Sequence, residues 1–195
     1  MAEPPMVDPH DPVMTGENSF VRLSSDGGKT YPERASHWRV LWSPAGPGHA
    51  LFIESALLGG VPRIYADNAG VARFLQRTIE VMLYKPFADE SLPIVDARFE
   101  RTGHSLSTVE ERLNSASDEI VLSWWELMSP FVLTMPPGAM DRPLGVYSTF
   151  LPARAAQLAV NDQAAAGNVV LMDRFGRPAS SCCLAWSETW TKPKA

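Results

Sequence analysis

The stretch that decides the fold opens with His37-Trp38-Arg39-Val40-Leu41-Trp42, breaks at Ser43-Pro44-Ala45-Gly46-Pro47-Gly48, and resumes from Ala50 to Leu58. Gly59-Gly60 then separates it from a third run, Val61 to Ala66. Large apolar and aromatic residues fill the runs and Gly/Pro clusters bound them, which predicts strands. The Gly-Gly pair supplies the positive φ that a tight hairpin needs. Residues 37–66 are therefore expected to be an antiparallel meander.

Outward from that meander the chain changes character once. Asp67-Asn68 offers an N-cap for a helix over about 69–84. Val71, Phe74, Leu75, Thr78, Ile79 and Met82 recur at helical spacing, with Arg73, Gln76, Arg77 and Glu80 on the opposite face. Pro86 ends the helix. Residues 93–101 then alternate as a strand, and Ser107-Thr108-Val109-Glu110 has capping-box spacing that predicts one helical turn. Residues 119–135 read as a long strand broken at Pro130. Segments 145–151, 155–160, 168–172 and 179–190 form a second meander, with turns at Asn161-Asp162 and Arg174-Phe175-Gly176-Arg177-Pro178.

About eight short strands and one principal helix predict a mainly β chain: an antiparallel β-barrel or strongly curved sheet. The outline resembles the lipocalin-like barrels and, less closely, the α+β cystatin/NTF2-like cones. The likeness is architectural only, and carries no residues or activity with it. One domain, 36–191, is expected to hold the fold, followed by a tail at 192–195. Residues 1–35, rich in proline and poor in periodicity, predict an extended surface arm with at most an edge strand, free of functional groups and dispensable over 2–15.

Composition excludes several classes. Of 195 residues, 45% are apolar and 20% charged, so a sizeable core is expected. The net charge of -5 and the lack of any basic run argue against nucleic acid. No apolar stretch approaches the ~18 residues of a membrane span, and Met1 to Pro12 has no signal-peptide pattern, so a cytoplasmic location is expected. The two cysteines, Cys182 and Cys183, are adjacent, which rules out a disulfide framework. The four histidines lack ligand spacing. No metal or organic cofactor is expected.

The chemistry-bearing pattern is a recurrence. Ile120, Leu122, Trp124, Glu126 and Met128 alternate along one strand, and Cys182, Leu184, Trp186, Glu188 and Trp190 along another. Both carry Leu-x-Trp-x-Glu. If those faces point inward, Glu126 and Glu188 share an apolar cavity, where burial raises a carboxyl pKa toward proton transfer. Pairing with Arg39, Arg98 or Arg154 would make them structural instead. Tyr65, just before the helix, and His37, beside a strand end, are candidate assisting groups, although His37 also reads as a solvated histidine. Trp42, Trp124, Trp186, Trp190 and Tyr147 are candidate ligand-binding walls, or simply core.

Two principal functions follow. One is a cofactor-independent lyase, isomerase or hydratase acting by acid–base chemistry on a hydrophobic aromatic or terpenoid molecule. The other is a non-catalytic lipophilic-ligand-binding protein of the same fold. A homo-oligomer built on apolar strand faces stands behind them.

Overall fold

A computed structural model describes residues 10–104 and 106–194. Thirteen strands appear in chain order: β1 (His10–Leu23), β2 (Glu33–Trp42), β3 (Gly48–Glu54), β4 (Arg63–Ala66), β5 (Ile94–Gly103), β6 (Thr108–Ser115), β7 (Glu119–Leu127), β8 (Phe131–Met135), β9 (Gly145–Val160), β10 (Gln163–Ala164), β11 (Leu171–Arg174), β12 (Arg177–Ser180) and β13 (Cys183–Pro193). One helix, α1 (69–83), lies between β4 and β5. No helix among the described residues is long and apolar enough to cross a membrane.

The order β9-β13-β1-β2-β3-β4-β5-β6-β7 returns to β9, so the strongly curved sheet closes a ring of hydrogen bonds. All neighbours are antiparallel except β4 and β5, which run parallel because α1 carries the chain across between them. β9 serves two partners along one edge: β8 pairs with its first half and β7 with its second. Pro130, which donates no ladder hydrogen bond, falls at the break between β7 and β8.

Alternation divides the apolar side chains between two cores. Leu51, Ile53, Tyr65, Val109, Leu113, Ile120, Leu122 and Trp124 fill the ring. Ala50, Phe52, Trp38 and Ile64, from the other face of the same strands, pack outward against Val71, Leu75 and Ile79 of α1. Asn68, whose side chain accepts from the Gly70 and Val71 N–H groups, caps the helix.

Four expectations are corrected. Residues 10–23 do not belong to a surface arm: β1 pairs with β13 on one side and β2 on the other, and Met14 and Val21 are fully buried. Its Gly, Asn and Ser residues diluted the apolar pattern. The first nine residues of the expected arm lie outside the described residues. Thr108–Ser115 is a strand, because Val109, Glu111 and Leu113 alternate into the ring, and tertiary pairing outweighs the local capping signal. Residues 145–160 form one strand, with Pro152 opposite Cys183. The expected tail belongs in part to β13, which runs to Pro193.

Candidate functional site

The site starts from two local irregularities. In β13, three steps from Trp186 to Thr189 face two steps of β9, and Ser187 has a left-handed φ of 51°. The same extra residue appears against β1. This β-bulge reverses the alternation. Leu184 packs into the ring and Trp186 leans on that core, but Glu188 and Trp190 join Cys183 and Ala185 on the helix-bearing face. In α1, residues 76–80 form a π turn, the wider i→i+5 winding. Positions four apart then stay in line, and Ala72, Gln76 and Glu80 are all buried. Glu80, expected on the solvent side, is 1% exposed.

Glu188 is 3% exposed and accepts a hydrogen bond from Trp190 Nε1 at 2.6 Å. Burial pushes its carboxyl up to about 7, with the Glu80 charge adding to the push and the Trp190 indole opposing it. Glu80 accepts from Ser36 Oγ at 2.6 Å and from the Trp38 indole. Burial raises its carboxyl also, against the Ser36 and Trp38 hydrogen bonds and the Arg22 and Arg34 charges. The Trp38 and Trp190 rings lie 6.4 Å apart. Two indoles thus each hold one of two buried carboxyls.

Glu188 opens onto a cavity of about 350 Å³ between the sheet, the end of α1, β8 and the β11–β12 hairpin. Phe20, Phe150 and Trp190 form aromatic walls, and Asn18 and Arg22 enter from β1. The cavity therefore lies on the outer face of the ring rather than inside it.

The nine side chains singled out from sequence are not brought together. Glu188 and Trp190 line the cavity. Glu126 does not: its backbone turns left-handed (φ 52°) at the end of β7 and its side chain is exposed, so the expected common cavity for the two acids is absent. Trp124 lies in the ring core and donates to the Phe20 carbonyl at 3.1 Å. Trp186 leans on that core, and Trp42 is 49% exposed at the end of β2. The Tyr147 hydroxyl lies 3.3 Å from His10 Nδ1. Tyr65 is buried in the ring, donates to Asp118 at 2.9 Å, and has its phenol pushed up to about 12, chiefly by burial.

His37 is buried inside the ring rather than solvated, 3.7 Å from Glu111, which also pairs with Arg101. Burial first, then the charges of His49, Arg101 and Arg39, hold its imidazole well below the usual histidine value. It is a neutral core histidine in a polar network separate from the cavity.

Sequence reasoning missed Glu80, Asn18 and Arg22. The row Ala72-Gln76-Glu80, at spacing of four, was the available signal for the first. Asn18, Phe20 and Arg22 alternate with Ser19, Val21 and Leu23, but the run was short enough to pass for an edge.

No family model matches the chain, and no curated protein or solved structure matches it. Among the described residues no group of three or more His, Cys, Asp or Glu side chains is arranged to hold a metal ion.

Proposed function

We propose that the protein acts on a hydrophobic small molecule held in this cavity, as a cofactor-independent acid–base enzyme of lyase, isomerase or hydratase type, with Glu188 carrying the proton. The observation behind this reading is a buried carboxyl, poised near 7, on the wall of an aromatic-lined cavity. A general acid or base works best when its pKa lies near the ambient pH, and burial beside the Glu80 charge supplies that here. Trp190 orients the carboxyl by taking up one oxygen. Phe20, Phe150 and Trp190 would bind a flat apolar body, leaving Glu188 to move a proton on it. Glu126, Tyr65 and His37 have no part in this reading, because none of them lines the cavity.

The test reads proton transfer directly. Candidate terpenoid and aromatic compounds are incubated with the protein in D₂O, and carbon-bound deuterium is followed by mass spectrometry. The parent should label or convert at least one compound, and Glu188→Gln should slow that at least ~10²-fold. Equal rates in parent and variant would remove Glu188 from the chemistry.

A second reading, a non-catalytic binder using the same cavity, is favoured by one observation. Of the two carboxyls held by indoles, Glu188 alone lines the cavity, while Glu80 is engaged by Ser36 and Trp38. Saturable binding without label exchange would select it.

A further inference from the structure

The cavity's aromatic walls are joined by three guanidinium groups: Arg22 from β1, Arg142 before β9, and Arg174 from the β11–β12 hairpin. Among the described residues, none of the three forms an ion pair with an aspartate or glutamate. Five of the ten other arginines are ion-paired, as with Arg101 to Glu17 at 2.6 Å and Arg77 to Glu90 at 2.7 Å. The net charge is -5, so three arginines without an ion pair run against the sign of the whole molecule. Such a cluster attracts anions where it stands, and low-dielectric walls strengthen the attraction.

Packing gives the cluster a shape. The Arg22 guanidinium lies 5.0 Å from the centre of the Phe20 ring, and that of Arg174 lies 5.6 Å from the Phe150 ring centre. Cation and apolar wall are therefore adjacent on both sides of one space. Burial and the neighbouring charges of Arg34 and Arg174 make the Arg22 cation costly, and its pKa falls to about 10. Glu80 offsets only part of that cost. At the rim, Phe175 and Met140 are both 65% exposed, an apolar border of the kind found around ligand entries. Glu188 lines the same cavity, its carboxyl held by the Trp190 indole.

We infer that the molecule taken into this cavity is an organic anion, a flat apolar body bearing a carboxylate, with the charged head at Arg22, Arg142 and Arg174 and the apolar body along Phe20, Phe150 and Trp190. A guanidinium fork matches a carboxylate in plane and charge. The inference rests on the cavity being the ligand site, and it narrows the substrate class of that site. With the charged head drawn to the arginines, the apolar body is left to Trp190 and the Glu188 carboxyl beside it.

The test uses two probes of one shape, 2-naphthoate and its neutral amide, 2-naphthamide, titrated by calorimetry at low salt and by quenching of tryptophan fluorescence. 2-Naphthoate should bind about tenfold or more tightly than the amide, and lose that advantage as salt rises. Arg22→Met and Arg174→Gln should each lower 2-naphthoate affinity about tenfold and leave the amide unchanged. Phe150→Ala should weaken both probes. If the amide binds as well as the acid, or neither arginine change alters their ratio, the anion inference is overturned while the cavity reading stands. If neither probe binds, or Phe150→Ala affects neither, the cavity is not the ligand site and both fall.

Discussion

At the scale of the residue, Glu188 ties the candidate chemistry to stability. Its carboxyl ionises near 7 in the fold against an ordinary value of 4.5, so the folded state binds more protons between those pH values. A raised carboxyl contributes stability that is complete below about pH 4.5 and is lost as pH rises through 7. Keeping the charged form buried costs about 3 kcal/mol by pH 8. Glu188→Gln retains an oxygen for the Trp190 N–H and removes the titration. In urea denaturation the variant should match the parent near pH 4.5 and exceed it by about 3 kcal/mol at pH 8. A difference independent of pH would mean that Glu188 does not titrate in the fold. His37 works in the opposite direction: its imidazole is depressed, so its contribution is complete above about 6.5 and is lost as pH falls below that value. Subtracting variant from parent isolates Glu188, because His37 is common to both. An increase in stability at pH 8 together with loss of label exchange would identify a carboxyl kept at a cost to the fold.

At the scale of the element, the site depends on two departures from regular geometry. The Ser187 bulge turns Glu188 and Trp190 away from the ring, and the π turn in α1 brings Glu80 toward the sheet. Ser187 is exposed and left-handed, so substitution there reads the backbone almost alone. Ser187→Gly should keep or slightly raise stability, since glycine adopts positive φ freely. Ser187→Val should lower it by about 1–2 kcal/mol and, by straightening the bulge, weaken binding in the cavity. Equal stabilities for the two variants would show that the bulge stores no strain. These same elements mark the limit of what sequence reveals. Apolar runs bounded by Gly and Pro located β2, β3 and the two halves of the 119–135 segment, and alternation located β5. It assigned Glu188 and Trp190 to one face correctly, since both follow the bulge, but wrongly included Leu184 and Trp186, which precede it. Glu126 failed for a related reason, as its strand ends in a left-handed residue. A period of two cannot register one inserted residue, and a period of 3.6 cannot register a wider turn.

At the scale of the whole molecule, one sheet separates two cores. Ala50 and Phe52 of β3 face α1 while Leu51 and Ile53 face the ring interior, and β1 divides likewise between Phe20 and Val21. A sheet shared in this way cannot lose one core without exposing the back of the other, so the cavity is built on the outer wall of a cooperative unit. β1 makes this concrete: it lies between β13 and β2 and supplies Asn18, Phe20 and Arg22 to the cavity wall. The expectation that residues 2–15 are dispensable gives way accordingly, because the deletion removes Met14 and the pairing of His10 to Thr15 with β13. The gentler test is a matched pair of substitutions, one in each core. Ile79 of α1 packs only in the outer core and Ile120 of β7 only in the ring, and each is essentially fully buried. Ile79→Val and Ile120→Val should each cost about 0.5–1.5 kcal/mol. Their double variant should lose the sum to within about 0.5 kcal/mol, because the two sites share no contact. In every variant the far-ultraviolet circular dichroism and tryptophan fluorescence midpoints should shift together as a single transition. Separate midpoints, with Ile79→Val moving only one of them, would show that α1 and the cavity unfold from an intact ring, and the site would then be a detachable layer.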